Sequence, residues 1–127
     1  MHSDYRGSSH RFWKGFVFAW NGIRSVFRTE RNFRVHMFCT GLVILGGIVF
    51  HITKGEWMLL SLIIALVLSL EMVNTAIEKI MDYLSTEPDP KIGAIKDIAA
   101  GAVFVSAISA AVIGGFIFIP RIVEVFL

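Results

Sequence analysis

The chain has 127 residues, enough for one domain, with 55% hydrophobic and 17% charged residues and a formal charge of +2. Its mean hydropathy of +0.68 is high for a soluble domain. The single cysteine, Cys39, excludes an internal disulfide, offers no spacing for structural zinc, and reads as a small packing residue.

The apolar residues are gathered into long runs without Lys, Arg, Asp or Glu: Val35 to Thr53, Trp57 to Leu70, and Ile98 to Pro120. A bilayer core about 30 Å thick needs roughly 20 helical residues to cross it, so the chain is predicted to be embedded in a membrane. The first run starts too late, behind a basic and aromatic leader, to be a signal peptide. The whole chain, 1–127, is read as one integral membrane domain of the all-α class, with no repeat and no low-complexity tract.

Residues of about 9–29 are predicted to form an amphipathic helix lying on the membrane. Phe12, Trp13, Phe16, Trp20, Ile23 and Phe27 recur at helical spacing, with Arg11, Lys14, Arg24 and Arg28 as their basic complement. Three spans follow, at about 32–52, 56–84 and 93–120. The second is expected to run well past Leu70, because neither Gly nor Pro interrupts the chain before Leu84. Ser85 to Pro90 contains two prolines and reads as a loop, with a helix restarting near Lys91 to Gly93. In the third span Gly101, Ala102, Ser106, Ser109, Ala110, Gly114 and Gly115 would let helices approach closely, within or between subunits.

Seven of the twelve Lys and Arg residues precede the first span: Arg6, Arg11, Lys14, Arg24, Arg28, Arg31 and Arg34. The next connection offers Lys54, the one after it Lys79, Lys91 and Lys96, and Arg121 alone follows the third span. The positive-inside rule then places the N-terminus and second connection in the cytoplasm and the C-terminus outside.

The second span carries the chemistry. Glu71, Asn74, Glu78 and Asp82 are three, four and four residues apart. They therefore share one helix face, within about 80° of arc and over about 16 Å of axis. Ile77, Ile80 and Met81 oppose them. Carboxylates at a membrane boundary are expensive and normally mark a functional site or path. Glu30, before the first span, and Lys96-Asp97, opening the third, complete a set of cytoplasmic parts. Two carboxylates from different helices could share Mg²⁺, while a lysine and arginines neutralise phosphate oxygens. A deeper carboxylate could take the proton of a lipid hydroxyl.

Two other readings stay open at this point: a stripe that only pairs with nearby Lys and Arg, and a proton or cation path. Against the path, the acids cluster toward one end of the span. Neither GxxxxGK[ST] nor a Gly-rich kinase loop is present, so neither common nucleotide cradle is available. Nucleic acid is not an expected partner.

The segment Glu71-Met-Val-Asn74-Thr-Ala-Ile-Glu78-Lys-Ile-Met-Asp82, followed by Lys96-Asp97 and a small-residue third span, closely resembles the bacterial diacylglycerol kinase and undecaprenol kinase family. Phe16-Val-Phe-Ala-Trp-Asn-Gly22 and the Glu30 segment resemble it too, so that the likeness spans about residues 10 to 120. The resemblance implies a homotrimer of three-span subunits in the bacterial cytoplasmic (inner) membrane. Its active sites would be composed between subunits and would use ATP and Mg²⁺ to phosphorylate a lipid hydroxyl. It implies that Glu30 and Glu78 hold the metal against ATP, that Glu71 is the base, and that Asn74 supports these carboxylates. Arg11, Asp82, Lys96 and Asp97 would contact nucleotide or order the site, with Glu87 to Asp89 on its rim. Phe18 stands where a tyrosine can stack near the base, and Asp89 where histidine is common. The Thr29 to His36 stretch is more similar to the undecaprenol kinases, which slightly favours undecaprenol over diacylglycerol. The contrasting expectation is a non-enzymatic membrane module, an ion path or an assembly subunit.

Overall fold

The computed structural model describes residues 8–127. Arg6, counted above in the basic leader, lies outside them. Among the described residues the chain forms four helices and no strand: α1 (Ser8–Thr29), α2 (Arg31–Val49), α3 (Lys54–Leu84) and α4 (Pro90–Phe126). The last three are each long and apolar enough to cross a membrane. At 1.5 Å per residue, the 31 residues of α3 reach about 46 Å and the 37 of α4 about 55 Å. Both exceed a bilayer core of about 30 Å and extend beyond it.

The boundaries follow local chemistry. α1 and α2 are separated by Glu30 alone, whose backbone is extended at φ −107° and ψ 112°. The Arg34 guanidinium reaches back and donates from Nη1 to the carbonyls of Phe27 and Arg28, at 3.0 and 2.9 Å. It thus satisfies two acceptors that the end of α1 leaves free. α2 ends at Val49, short of the expected 52. His51 takes the left-handed conformation, φ 51°, and turns the chain, while the Ile52 amide donates to the Gly47 carbonyl. α3 then opens on a capping box: Glu56 N–H donates to Thr53 Oγ1 at 3.2 Å and Thr53 N–H to Glu56 Oε1 at 3.0 Å.

α3 continues unbroken past Leu70 to Leu84. After the loop, α4 begins at Pro90, slightly before the expected restart at Lys91 to Gly93. Asp89 is its N-cap, accepting from the Lys91 amide on Oδ1 at 2.9 Å, and Pro90 needs no amide partner in the first turn. α4 also passes through Pro120 rather than ending there. Beside that proline, Arg121 Nη1 donates to the Ile117 carbonyl at 2.7 Å. Neighbouring side chains commonly satisfy carbonyls near a proline within a membrane helix.

α3 packs most extensively against α4, and α2 more briefly against α3. One end of the bundle is apolar: Ile52, Leu60, Ile63 and Ile117 are buried together, with Val43, Trp57, Ile113 and Phe118 against them. The opposite half buries Val67, Ala99 and Val103 but also Glu71, Thr75 and Ser106. Tight packing of the whole small-residue stripe of α4 is not seen within the chain: only Ser106 of those seven residues is buried, while Gly101 and Ala102 are exposed. The reason is angular. α4 turns one face to α3, and residues at 100° steps distribute over the others.

Candidate functional site

The α3 stripe exists as a gradient of burial. Glu71 is 4% exposed, Asn74 and Glu78 are half-buried, and Asp82 is exposed. The carboxylates thus descend from solvent into the packed part of the bundle on one helix face. Glu71 is approached from α2, where His36 Nε2 lies 3.1 Å from Glu71 Oε1. The Asn74 Oδ1 is fully buried and lacks a hydrogen-bond partner among the described residues. Buried polar atoms are nearly always paired, so this acceptor calls for a donor beyond the described residues.

The end of α3, the loop and the first turns of α4 enclose a cleft of about 640 Å³. Asp82, Glu87, Asp89 and Lys96 all line it, together with Thr86, Ile92 and Gly93. Lys96 Nζ pairs with Asp82 Oδ1 across the two helices. The loop is shaped by Ser85, whose Oγ donates to the Glu87 carbonyl and accepts from the Glu87 amide. Its size suits a small-molecule ligand. Three carboxylates against one ammonium make it a poor host for bare phosphates, and a suitable one for phosphates that bring a cation.

Glu30 is half-buried at the α1–α2 junction, and although it occupies the N-cap of α2 its side chain makes no capping bond. Neither Glu30 nor Glu78 forms an ion pair among the described residues. Arg11 and Phe18 are exposed on α1, and Asp97 is exposed on α4; none of the three lines the cleft. No group of three or more His, Cys, Asp or Glu converges for a metal among the described residues. Glu30 and Glu78 remain hard oxygen donors of the kind Mg²⁺ takes one or two at a time, with water and phosphate completing the shell. On that chemistry they fit the ion.

His36 as the neighbour of Glu71 was not read from the sequence. The available signal was the position of its imidazole: His36 is the one histidine in the N-terminal half of the first apolar run.

Three apolar helices with an acidic stripe leading from a polar cleft define a small helical membrane protein with a site at one end of its bundle. A model of the family described as prokaryotic diacylglycerol kinase matches residues 17–118. Over 119 residues the chain is 41% identical to the undecaprenol kinase of Bacillus subtilis, covering 94% of this chain and 97% of that one. It is 36% identical over 110 residues to the diacylglycerol kinase of Synechocystis sp., covering 86% of this chain and 63% of the relative. It is 29% identical over 102 residues to that of Haemophilus influenzae, covering 80% and 86%. The chain belongs to the prokaryotic diacylglycerol kinase family, and it is a membrane lipid kinase.

Proposed function

We propose that the chain uses ATP and Mg²⁺ to phosphorylate undecaprenol, with diacylglycerol as the runner-up substrate, on the cytoplasmic face of the bacterial inner membrane. The observation that carries the reading is the buried Glu71 with the unpartnered Asn74 Oδ1 one turn away, at the head of a stripe leading to the cleft. The 41% identity to an undecaprenol kinase over nearly the full length of both chains favours that lipid. Family membership favours a kinase over an ion path or an assembly subunit.

In this reading Glu71 accepts the proton of the lipid hydroxyl as its oxygen bonds to the γ-phosphorus. The bond from that phosphorus to the bridging oxygen breaks, and ADP leaves with the electron pair. Glu30 and Glu78 hold Mg²⁺, which when bound neutralises phosphate charge. Asn74 supports these carboxylates. Lys96 and Asp82, with Glu87 and Asp89 on the rim, bind or order the nucleotide, and Arg11, Phe18 and Asp97 complete its surroundings. Those last three residues lie away from the cleft of a single chain, which supports a homotrimer with composite sites. So does the open α4 face, where a Cβ on Gly101 or Gly114 meets nothing within 4 Å. α1, with Phe12, Trp13 and Phe16 exposed in edge-to-face contact, lies on the inner leaflet. The lysines of the α3 and α4 ends flank the loop on that same side.

Glu71→Gln and Glu78→Gln test the assignment. Both variants are expected to fold and assemble in detergent and to lose lipid phosphorylation by roughly a hundredfold or more, as removal of a base or a metal ligand predicts. Parental activity in both would remove the site from α3.

A further inference from the structure

Glu71 is deeply buried, and a carboxylate so placed is strongly disfavoured unless something pairs with it. The partner stands on another helix: His36 Nε2 of α2 is 3.1 Å from Glu71 Oε1 of α3. The two atoms stand within ion-pair reach, and a proton on Nε2 would join them. The imidazole can supply that proton as a donor. Its own backbone is held in regular helix, with Thr40 Oγ1 donating to the His36 carbonyl at 2.8 Å.

We propose that His36 is a positioning residue for phosphoryl transfer: its Nε2 holds Oε1 of Glu71, and the other carboxylate oxygen is thereby presented to the lipid hydroxyl beside Asn74. The inference rests on Glu71 as the base. During transfer the hydroxyl O–H bond breaks, its proton passes to the free carboxylate oxygen, and the ring keeps its grip on Oε1. Glu71 and Asn74 lie three residues apart on one face, so fixing one carboxylate oxygen orients the other within reach of the same hydroxyl. Imidazole suits the task better than lysine or arginine. A permanent cation there would hold the carboxylate more tightly but make it a weaker base. A catalytic group is held to productive geometry by such a supporting side chain, and loosening it lowers the rate of the chemical step rather than ATP binding.

The two side-chain amides discriminate this role from mere packing. Glutamine can place an N–H near the position of Nε2, whereas asparagine stops one bond short. In lipid-phosphorylation assays with saturating lipid, His36→Gln is expected to keep kcat within about threefold of the parent and His36→Asn to lose roughly tenfold or more, with KM for ATP unchanged in both. In a Glu71→Asp background the shorter carboxylate is already withdrawn from the ring, so adding His36→Asn should cost no more than about a further twofold. Equal kcat for His36→Gln and His36→Asn would overturn the proposal, and so would a full tenfold loss repeated in the Glu71→Asp background. Failure of the base reading looks different. Parental kcat in Glu71→Gln removes the base and this role together, whereas an inactive Glu71→Gln beside a fully active His36→Asn removes the role of His36 alone.

Discussion

Gly47 fixes how closely α2 can approach the start of α3, and replacing it gives a measurable prediction. A Cβ built on Gly47 lies 2.6 and 2.8 Å from Cη2 and Cζ2 of Trp57, and 3.0 Å from Cδ1 of Ile52. Ordinary contact begins near 3.4 Å, so the indole must retreat by roughly 0.8 Å. It has little room to do so, because Trp57 and Ile52 pack in the cluster of Leu60, Ile63 and Ile117. Forcing a methyl into such a core costs about 1–3 kcal/mol. Gly→Ala within a helix gains up to about 1 kcal/mol from propensity, which would mask part of the loss. Gly41 supplies the control: it lies on the same helix, and a Cβ there meets nothing within 4 Å. The propensity gain is common to both substitutions, so Gly47→Ala should be less stable than Gly41→Ala by about 1–3 kcal/mol. Equilibrium unfolding in mixed micelles of rising SDS content, followed by tryptophan fluorescence and by helix content, measures the difference. Equal stabilities would mean that Trp57 does not bear on Gly47.

Two further substitutions probe the cleft and the opposite end of the bundle. Lys96→Met removes the cation of the cleft; KM for ATP should rise roughly tenfold, while thermal stability changes little because exposed ion pairs contribute weakly. An unchanged KM would move the nucleotide out of the cleft. At the other end of the bundle, Glu56 both completes the α3 capping box and receives a two-pronged contact from Arg121, Nη1 to Oε2 and Nη2 to Oε1, each at 2.7 Å. Glu56→Ala should therefore lower the unfolding temperature more than Glu56→Gln, which keeps an acceptor for the Thr53 amide. The same unfolding temperature for both would separate the cap from the ion pair.

Much of the architecture was legible because it rests on local pattern. The uncharged runs required membrane-length helices, and the absence of Gly or Pro between Leu70 and Leu84 carried α3 through the acidic stripe. The depth of Glu71 followed from the same periodicity, since its neighbours toward the middle of α3 are apolar. Boundaries were less legible. Asp89-Pro90 is both a loop signature and a helix start, and only the bond from the Lys91 amide shows the second role. Thr53-Lys-Gly-Glu56 carries the spacing of a capping box, a local signal that marks the true start of α3. Pro120 suggests a stop by its chemistry, yet α4 continues past it, with Arg121 bonded to Ile117 and Glu56. The least legible features join distant parts of the chain: His36 with Glu71, Asp82 with Lys96, and Glu56 with Arg121. Periodicity places each on a face of its own helix but does not set the register between helices, which the packing of α2, α3 and α4 decides.

Lipid phosphorylation is measured by supplying the purified protein, in lipid-containing micelles with Mg²⁺, with ATP labelled at the γ-phosphate and with undecaprenol and diacylglycerol side by side. Label is expected in the lipid fraction, with faster transfer to undecaprenol and loss of transfer when Mg²⁺ is chelated. Label reaching neither lipid would contradict the proposed activity, and faster transfer to diacylglycerol would overturn the choice of substrate.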